Sequence, residues 1–193
     1  MRTILATTFL ISILWGTPTH GSPSSIGVFF DADATDCDAT VTQYMPFTVW
    51  AYALLGTDAA AAGITGAEFR IDGLEDLVWS VAPNPEAFVS VGNPCQGGCN
   101  IAFPNCMMGS GSRRSVLLYT ILCIPFNPVS PRTVRVERHT TPDDQHIAPI
   151  LKLCDVFFTA MFVTGGEARI NNGPCTVGVD PAAWSTIKSM FRN

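Results

Sequence analysis

Short apolar runs separated by Gly, Pro, Asn and Asp recur along most of the chain, and this pattern predicts β-strands. The run Ala67–Ile71 alternates strictly between apolar and charged side chains, which is typical of a strand with one buried face. Phe47–Leu55 and Ser115–Phe126 are apolar on both faces, so we expect them at the centre of a sheet. The other predicted strands are Ile26–Phe30, Val78–Val81, Phe88–Val91, Asn100–Phe103, Thr133–Arg138, Ile150–Leu153, Val156–Val163, Ala168–Ile170 and Thr176–Val179.

Strands of this number and spacing, with turn residues between them, predict an all-β fold: a two-layer antiparallel β-sandwich. No helical pattern alternates with the strands, which disfavours a parallel βαβ sheet. Two short helical segments are expected beside the sandwich. Asp58 is the expected N-cap of a single turn over 59–62, and Asp180 and Pro181 begin a short C-terminal helix over 180–193.

The first residues have the layout of a secretory signal peptide. Met1 and Arg2 provide a positive start, and Ile4–Trp15 is apolar but shorter than the roughly 20 residues that a transmembrane helix needs. Small residues follow, and cleavage is predicted after Gly21. The chain then divides into a signal peptide over 1–21, a β-sandwich domain over 22–179 and the C-terminal helix. The mature protein is expected to be secreted, either extracellular or periplasmic.

The charge balance excludes some classes of partner. The chain holds 11 Lys and Arg against 16 Asp and Glu, a formal net charge of −5. No basic patch is present to neutralise phosphates, so nucleic-acid binding is not expected. An anionic membrane surface is an equally poor partner for an acidic chain. After removal of the signal peptide, no apolar run is long and uninterrupted enough to predict a membrane span.

Seven cysteines in an exported chain point first to disulfide bonds. The number is odd, so at least one thiol stays unpaired, and we expect it to be Cys123, which lies in an apolar run. The connectivity is left open by spacing alone, although a short bridge within the group Cys95, Cys99 and Cys106 would staple that loop. The spacing lacks the paired CxxC pattern of zinc ribbons. The disulfide candidates are Cys37, Cys95, Cys99, Cys106, Cys154 and Cys175.

A cluster of four aspartates is the candidate metal site. Asp31, Asp33, Asp36 and Asp38 could supply the oxygen ligands that calcium prefers. The pattern departs from an EF-hand loop, because the sixth position lacks Gly and the twelfth lacks Glu. The alternative is an acidic, solvated loop between two strands. If calcium binds, remote carboxylates would have to complete its shell, and calcium is the one cofactor that the sequence suggests.

His139 and His146, together with Asp143 or Asp144, are the candidates for a hydrolytic site. The chain has no GxSxG elbow and no HExxH motif, and a polar turn with two exposed histidines is the alternative. No catalytic and no cofactor-binding residue is therefore assigned. A protein without enzymatic activity is favoured, and the question of an enzyme stays open at this point.

Three segments resemble cohesin-like sandwiches of the superfamily that includes carbohydrate-binding modules. They are Gly63–Ile71 (GITGAEFRI) followed by Leu74 and Val78, Ser115–Ile121 (SVLLYTI), and Gly165–Asn171 (GGEARIN). The order of features also resembles exported bacterial proteins with an early strand that ends in Asp, a Cys-flanked middle, Cys154-Asp155 and a terminal Trp184-x-x-Ile187-Lys188. The resemblance implies an Ig-like or cohesin-like jelly roll. The cysteines depart from the cohesin pattern, and no catalytic residue is carried over.

These observations together predict a secreted, non-catalytic module that binds a protein or glycan partner, or that serves in a cell-surface or extracellular assembly. Such modules present a sheet face or an edge strand to the partner. Thr133–Arg138, which is charged on one side, is the predicted edge. The alternatives are a secreted hydrolase with a site near His139 and His146, and a calcium-stabilised structural protein. Fold alone does not choose among them.

Overall fold

Thirteen β-strands make up the regular structure of the described part of the chain, which carries no helix. The computed structural model describes residues 22–60, 62–111, 113–140 and 147–175. The strands are β1 (Ser25–Phe29), β2 (Asp38–Ala39), β3 (Phe47–Leu54), β4 (Ile64–Asp72), β5 (Val78–Pro83), β6 (Val89–Asn93), β7 (Gly98–Met107), β8 (Ser115–Cys123), β9 (Arg132–Glu137), β10 (Ile150–Leu153), β11 (Ala160–Phe162), β12 (Thr164–Gly165) and β13 (Glu167–Ile170).

The strands form two packed sheets, so the predicted β-sandwich is confirmed. The first sheet has the order β12-β1-β3-β8-β5. The second has the order β11-β10-β4-β9-β13-β2, and a β6–β7 hairpin joins it through pairing of β7 with β4. The prediction of wholly antiparallel sheets is wrong in two places, because β1 pairs with β12 and β13 pairs with β2 in parallel. Both parallel partners have only two residues.

The core lies between the two sheets and follows the alternation in the sequence. On β4, the apolar residues Ala67, Phe69 and Ile71 are buried, as the pattern of alternate residues requires. The Phe69 ring meets the Tyr119 ring of β8 edge-on at 5.9 Å between centroids, which ties the two sheets together. Burial of these side chains is the main source of stability for the sandwich.

Two strand predictions need correction. The predicted edge, Thr133–Arg138, lies inside its sheet as β9, because β9 pairs with both β4 and β13. A strand's own alternation does not reveal how many neighbours it has. The predicted strand Val156–Val163 begins instead with a turn, and only Ala160–Phe162 pairs, because the Asp155 carboxylate binds the backbone of the turn.

The single turn predicted after Asp58 forms, because the Gly63 amide donates to the Ala59 carbonyl at 2.9 Å, but it is not assigned as a helix in the described residues. Residues 57–60 form turns, and the Asp58 carboxylate accepts a hydrogen bond from the Ser24 hydroxyl at 2.5 Å. The predicted signal peptide, the strand Thr176–Val179 and the C-terminal helix over 180–193 lie outside the described residues. Among the residues described, no helix is long and apolar enough to cross a membrane.

Candidate binding face

The outward side of β10, β4, β7 and β6, which we call the binding face, consists of two cross-strand rows of side chains. The alternate residues of these strands, such as Phe69 and Ile101, point into the core, so the rows point away from it. One row reads Ala160, Lys152, Gly66, Ala102 and Val89 across the paired strands. The next row reads Phe162, Ile150, Glu68, Asn100 and Val91.

A groove of about 310 Å³ runs across this face. Its floor is low because Gly66 and Ala102 sit side by side in the first row. A side chain at Gly66 would meet the carbonyl oxygen of Ile101 at 2.6 Å, so glycine keeps both the pairing and the groove open. Residues that line the groove are Thr65, Gly66, Ala67, Glu68, Val89, Asn100, Ile101, Ala102, Lys152 and Phe158.

Apolar side chains rise at both ends of the groove. On β6, Val89 is 42% exposed, and beyond β10 Phe158 is 64% exposed. Glu68 and Lys152 place one charge of each sign in the groove, which leaves it without net formal charge. An exposed apolar surface with a few polar groups marks an interaction site more often than an inert surface.

The loop that carries Phe158 is held in a fixed shape. The Asp155 carboxylate accepts hydrogen bonds from the Thr159 amide at 2.8 Å and from the Thr159 hydroxyl at 2.5 Å. Both bonds hold the pKa of Asp155 below its usual value of 3.8, and the bond from the Thr159 hydroxyl has the larger effect. Phe158 has a φ of +48°, a conformation that costs a phenylalanine energy and persists only where the surroundings impose it. The Cys106–Cys154 disulfide anchors the start of this loop to β7.

The signal that could have revealed this face is the distribution of charge. Residues 87–112 contain no Asp, Glu, Lys, Arg or His, and they include both strands of the β6–β7 hairpin. Elsewhere in the same sheet, Arg135 of β9 forms an ion pair with Glu167 of β13 at 2.8 Å. The sheet therefore carries exposed charges on β9 and β13 and none on the hairpin. Depletion of charge is the compositional mark of an interface centre.

The four aspartates of the proposed calcium site do not converge. Asp31 instead folds its own loop, since its carboxylate accepts hydrogen bonds from the amides of Thr35 and Asp36 at 2.8 and 2.7 Å. Partial burial raises the pKa of Asp31, but the hydrogen bonds outweigh it and the net pKa lies below the usual value. Within the described ranges, no three His, Cys, Asp or Glu side chains are placed to hold a metal ion, so calcium binding gains no support here.

Two disulfide bonds form, and the predicted presence of disulfides is confirmed. Cys37 pairs with Cys175 and Cys106 with Cys154, at Cα separations of 5.8 and 5.6 Å. The short bridge that the group Cys95, Cys99 and Cys106 made possible is not formed, because Cys106 pairs with Cys154 at the end of β10. The remaining three cysteines are buried and unpaired: Cys95, Cys99 and Cys123. Burial raises the pKa of each thiol to about 12.

The proposed hydrolytic site is described only at His139. His139 packs beside Gly98, and its buried Nδ1 has no hydrogen-bond partner in the described structure. The other candidates, His146, Asp143 and Asp144, lie outside the described residues, so the hydrolase hypothesis stays a prediction.

Two of the tyrosine rings are not available for sugar stacking in the described part of the chain. Tyr119 is buried between the sheets, and Tyr52 is buried with its hydroxyl donating to the Ala32 carbonyl at 2.7 Å. Trp79 is exposed but tilts against Phe126 at 6.1 Å between centroids. A carbohydrate partner therefore gains no support from ring placement.

No protein-family model matches the chain, and no curated protein is significantly similar to it. Solved cohesin structures are similar to it. The sixth cohesin of scaffoldin B from Acetivibrio cellulolyticus, in complex with a Cel5 dockerin mutant, is 12% identical, with a TM-score of 0.47 over 79% of this chain and 100% of that one. A cohesin module from a family 33 glycoside hydrolase of Clostridium perfringens is 12% identical, with a TM-score of 0.48 over 78% and 97%.

A third structure, the OlpA cohesin of Clostridium thermocellum in complex with Doc918, is 10% identical, with a TM-score of 0.47 over 77% of this chain and 99% of that one. The two-sheet sandwich expected from the sequence is established by the strand topology, and these cohesin modules are similar to it over most of their length. At these identities the likeness concerns the fold alone, and the dockerin partners of those modules are not assigned to this chain.

Proposed function

We propose that this chain is a non-catalytic module that binds a partner protein through the binding face. The observation that carries the proposal is the uneven distribution of charged side chains within one sheet. β9 and β13 carry exposed charges, whereas the β6–β7 hairpin beside the groove carries none. A face that stays in water gains no stability from losing its charges. An interface does, because charged groups at its centre are costly to desolvate.

A protein partner fits this groove better than a sugar does. Sugars are bound through several directed hydrogen bonds and flat aromatic rings, and the groove offers mainly aliphatic groups from Val89, Ala102 and Ile101. Apolar side chains of a partner protein would fill it and bury the exposed Phe158 ring. The fixed loop around Phe158 lowers the entropic cost of binding, because little has to be ordered.

Secretion is part of the proposal. The sequence of residues 1–21 and the two disulfides support it, since such bonds persist in oxidising compartments. The Ser22 carbonyl accepts a hydrogen bond from the Thr57 amide at 3.1 Å, and Ser24 is buried. Cleavage after Gly21 would therefore keep the Ser22–Thr57 hydrogen bond, the buried Ser24 and both disulfides in the mature chain.

The test is differential capture with matched variants. The purified chain, its Ala102→Arg variant and its Ala82→Arg variant are immobilised and exposed to secreted proteins of the producing organism. Both alanines are exposed on strands, but Ala102 lies in the groove and Ala82 lies on β5 of the other sheet. We expect a protein that the native chain and Ala82→Arg retain and that Ala102→Arg loses.

Two results would contradict the proposal. One is the absence of any protein that distinguishes Ala102→Arg from the native chain. The other is a retained protein that Ala82→Arg loses and Ala102→Arg keeps. Thermal unfolding of both variants serves as the control for folding, and their midpoints should match that of the native chain because both side chains point to solvent.

A further inference from the structure

The free edges of the two sheets differ in how they are protected against pairing. Four of the five edges in the described structure are short or irregular. β2 and β12 have two residues each and β11 has three, while β5 carries a register shift between Val78 and Ser80 and ends in Pro83. Short strands, bulges and proline are the devices by which natural edges avoid pairing with other chains.

β6 has neither a register shift nor a proline, and with five residues it is longer than β2, β11 and β12. Within the described ranges it pairs with β7 alone, in an unbroken register from Val89 to Asn93, and no described strand lies along its other side. The segment of Phe88 and β6 contains no charged residue and no proline. Gly92 has a φ of +86°, so the regular part of the edge is Phe88–Val91. Alternate N–H and C=O groups of this segment point away from β7, as in any edge strand.

We propose that β6 is a homodimer interface, at which the same strand of a second copy adds antiparallel to it. An antiparallel pair of identical strands is self-complementary, because each N–H that one copy offers meets a C=O of the other about a two-fold axis. The two copies would form one continuous sheet, with the binding faces side by side.

The charge of the chain favours this surface for self-association. Two copies with a net formal charge of −5 each repel one another over most approaches. The hairpin over 87–112 is free of Asp, Glu, Lys, Arg and His, so copies that meet there bring no like charges together. Val89 and Val91 would form cross-strand aliphatic pairs with their counterparts.

Exposed apolar side chains next to β6 would add to the area of the strand pair. A stable interface buries about 800 Å² per partner, which a short strand alone does not provide. Phe88 directly precedes β6 and is 77% exposed. The Pro83 end of β5 lies on the same side of the sandwich as β6, because the Ser90 hydroxyl reaches Tyr119, the β8 residue that pairs with Pro83.

The experiment measures the mass of the purified chain by analytical ultracentrifugation over a wide range of concentrations. The native chain is expected to approach twice the monomer mass. The variant Val89→Lys/Val91→Lys places ammonium groups on both strands of the pair and is expected to remain a monomer. The control Val156→Lys/Phe157→Lys makes the same change in charge at two exposed apolar residues beyond β10, and it is expected to dimerise like the native chain.

Amide hydrogen exchange identifies the strand that pairs. In the dimer, the amides of Phe88–Val91 should all exchange slowly, whereas alternate amides of this segment should exchange fast in the lysine variant. A second variant, Phe88→Lys, keeps the test valid if the first fails to fold, and it should also reduce dimerisation. A native chain that stays monomeric would overturn the proposal. So would a dimer that survives both β6 variants, or one that a non-reducing gel shows to be covalent.

Discussion

At the scale of single residues, burial decides which chemistry is accessible. Cys95, Cys99 and Cys123 are buried and unpaired, and their thiol pKa values are raised to about 12 because the thiolate would lose its hydration. Thiols of this kind are inert towards electrophiles at neutral pH, since the thiolate is the nucleophile. They act as small apolar side chains of the core.

We therefore predict that iodoacetamide at pH 7 leaves all three thiols of the native chain unmodified. After unfolding in guanidinium chloride without reductant, the same reagent should label all three and leave the two disulfides intact. Mass spectrometry counts the labels. Rapid labelling of any of the three in the native chain would show that the core opens around it, contrary to this account.

The Asp155 carboxylate is predicted to fix the loop that carries Phe158. Its pKa is lower in the folded chain than the value of 3.8 expected when unfolded, so its stabilising effect is complete above 3.8 and is lost as the pH falls through the folded value. The protection factors of the Phe157 and Thr159 amides, which compare each exchange rate with that of an unfolded chain at the same pH, should be several-fold lower in Asp155→Ala at neutral pH. In the native chain these protection factors should fall only in acid.

Asp155→Asn is the matched control, because an amide oxygen keeps one acceptor without the charge. Its protection factors should fall between those of the native chain and Asp155→Ala, and they should not change with pH in this range. Equal exchange in all three chains would mean that Asp155 does not hold the loop.

At the scale of elements, the sequence predicts strands well where the core enforces alternation, and poorly where a side chain binds the backbone. Ala67–Ile71 keeps its predicted faces because a register slip by one residue would expose Phe69. Val156–Val163 is apolar enough for a strand, yet its first half forms a turn because the Asp155 carboxylate accepts a hydrogen bond from the Thr159 amide. Whether Thr133–Arg138 is an edge depends on partners far away in sequence, which no local pattern contains.

The Cys106–Cys154 disulfide joins β7 to the loop after β10 and closes a segment with a sequence separation of 48. We predict that Cys106→Ala/Cys154→Ala lowers the free energy of unfolding by about 3 kcal/mol, because the unfolded chain gains conformational freedom. Urea unfolding measures this change. An unchanged midpoint would show that the bridge contributes nothing to stability.

At the scale of the whole molecule, the sandwich could be predicted from the sequence, and the binding face could not. Strand number and turn spacing define two layers, but the groove exists only because Gly66, Ala102 and Val89 come together from three strands. The candidate residues singled out in the sequence were acidic and histidine side chains, which are conspicuous in a sequence. The absence of charge over residues 87–112 was the more informative signal.

The mature chain is predicted to begin at Ser22. Amino-terminal sequencing of the protein recovered from the culture medium or periplasm of its producer checks this. An intact Met1 on the exported protein, or a chain found only in the cytosol, would contradict secretion.

Isothermal titration calorimetry measures the affinity of the captured partner for the native chain, Ala102→Arg and Ala82→Arg. An arginine at Ala102 would fill the groove and bury a charge in the interface. We expect Ala102→Arg to weaken binding by about 30-fold or more and Ala82→Arg to change it by less than about threefold. Equal affinity of Ala102→Arg and the native chain would show that the partner binds elsewhere.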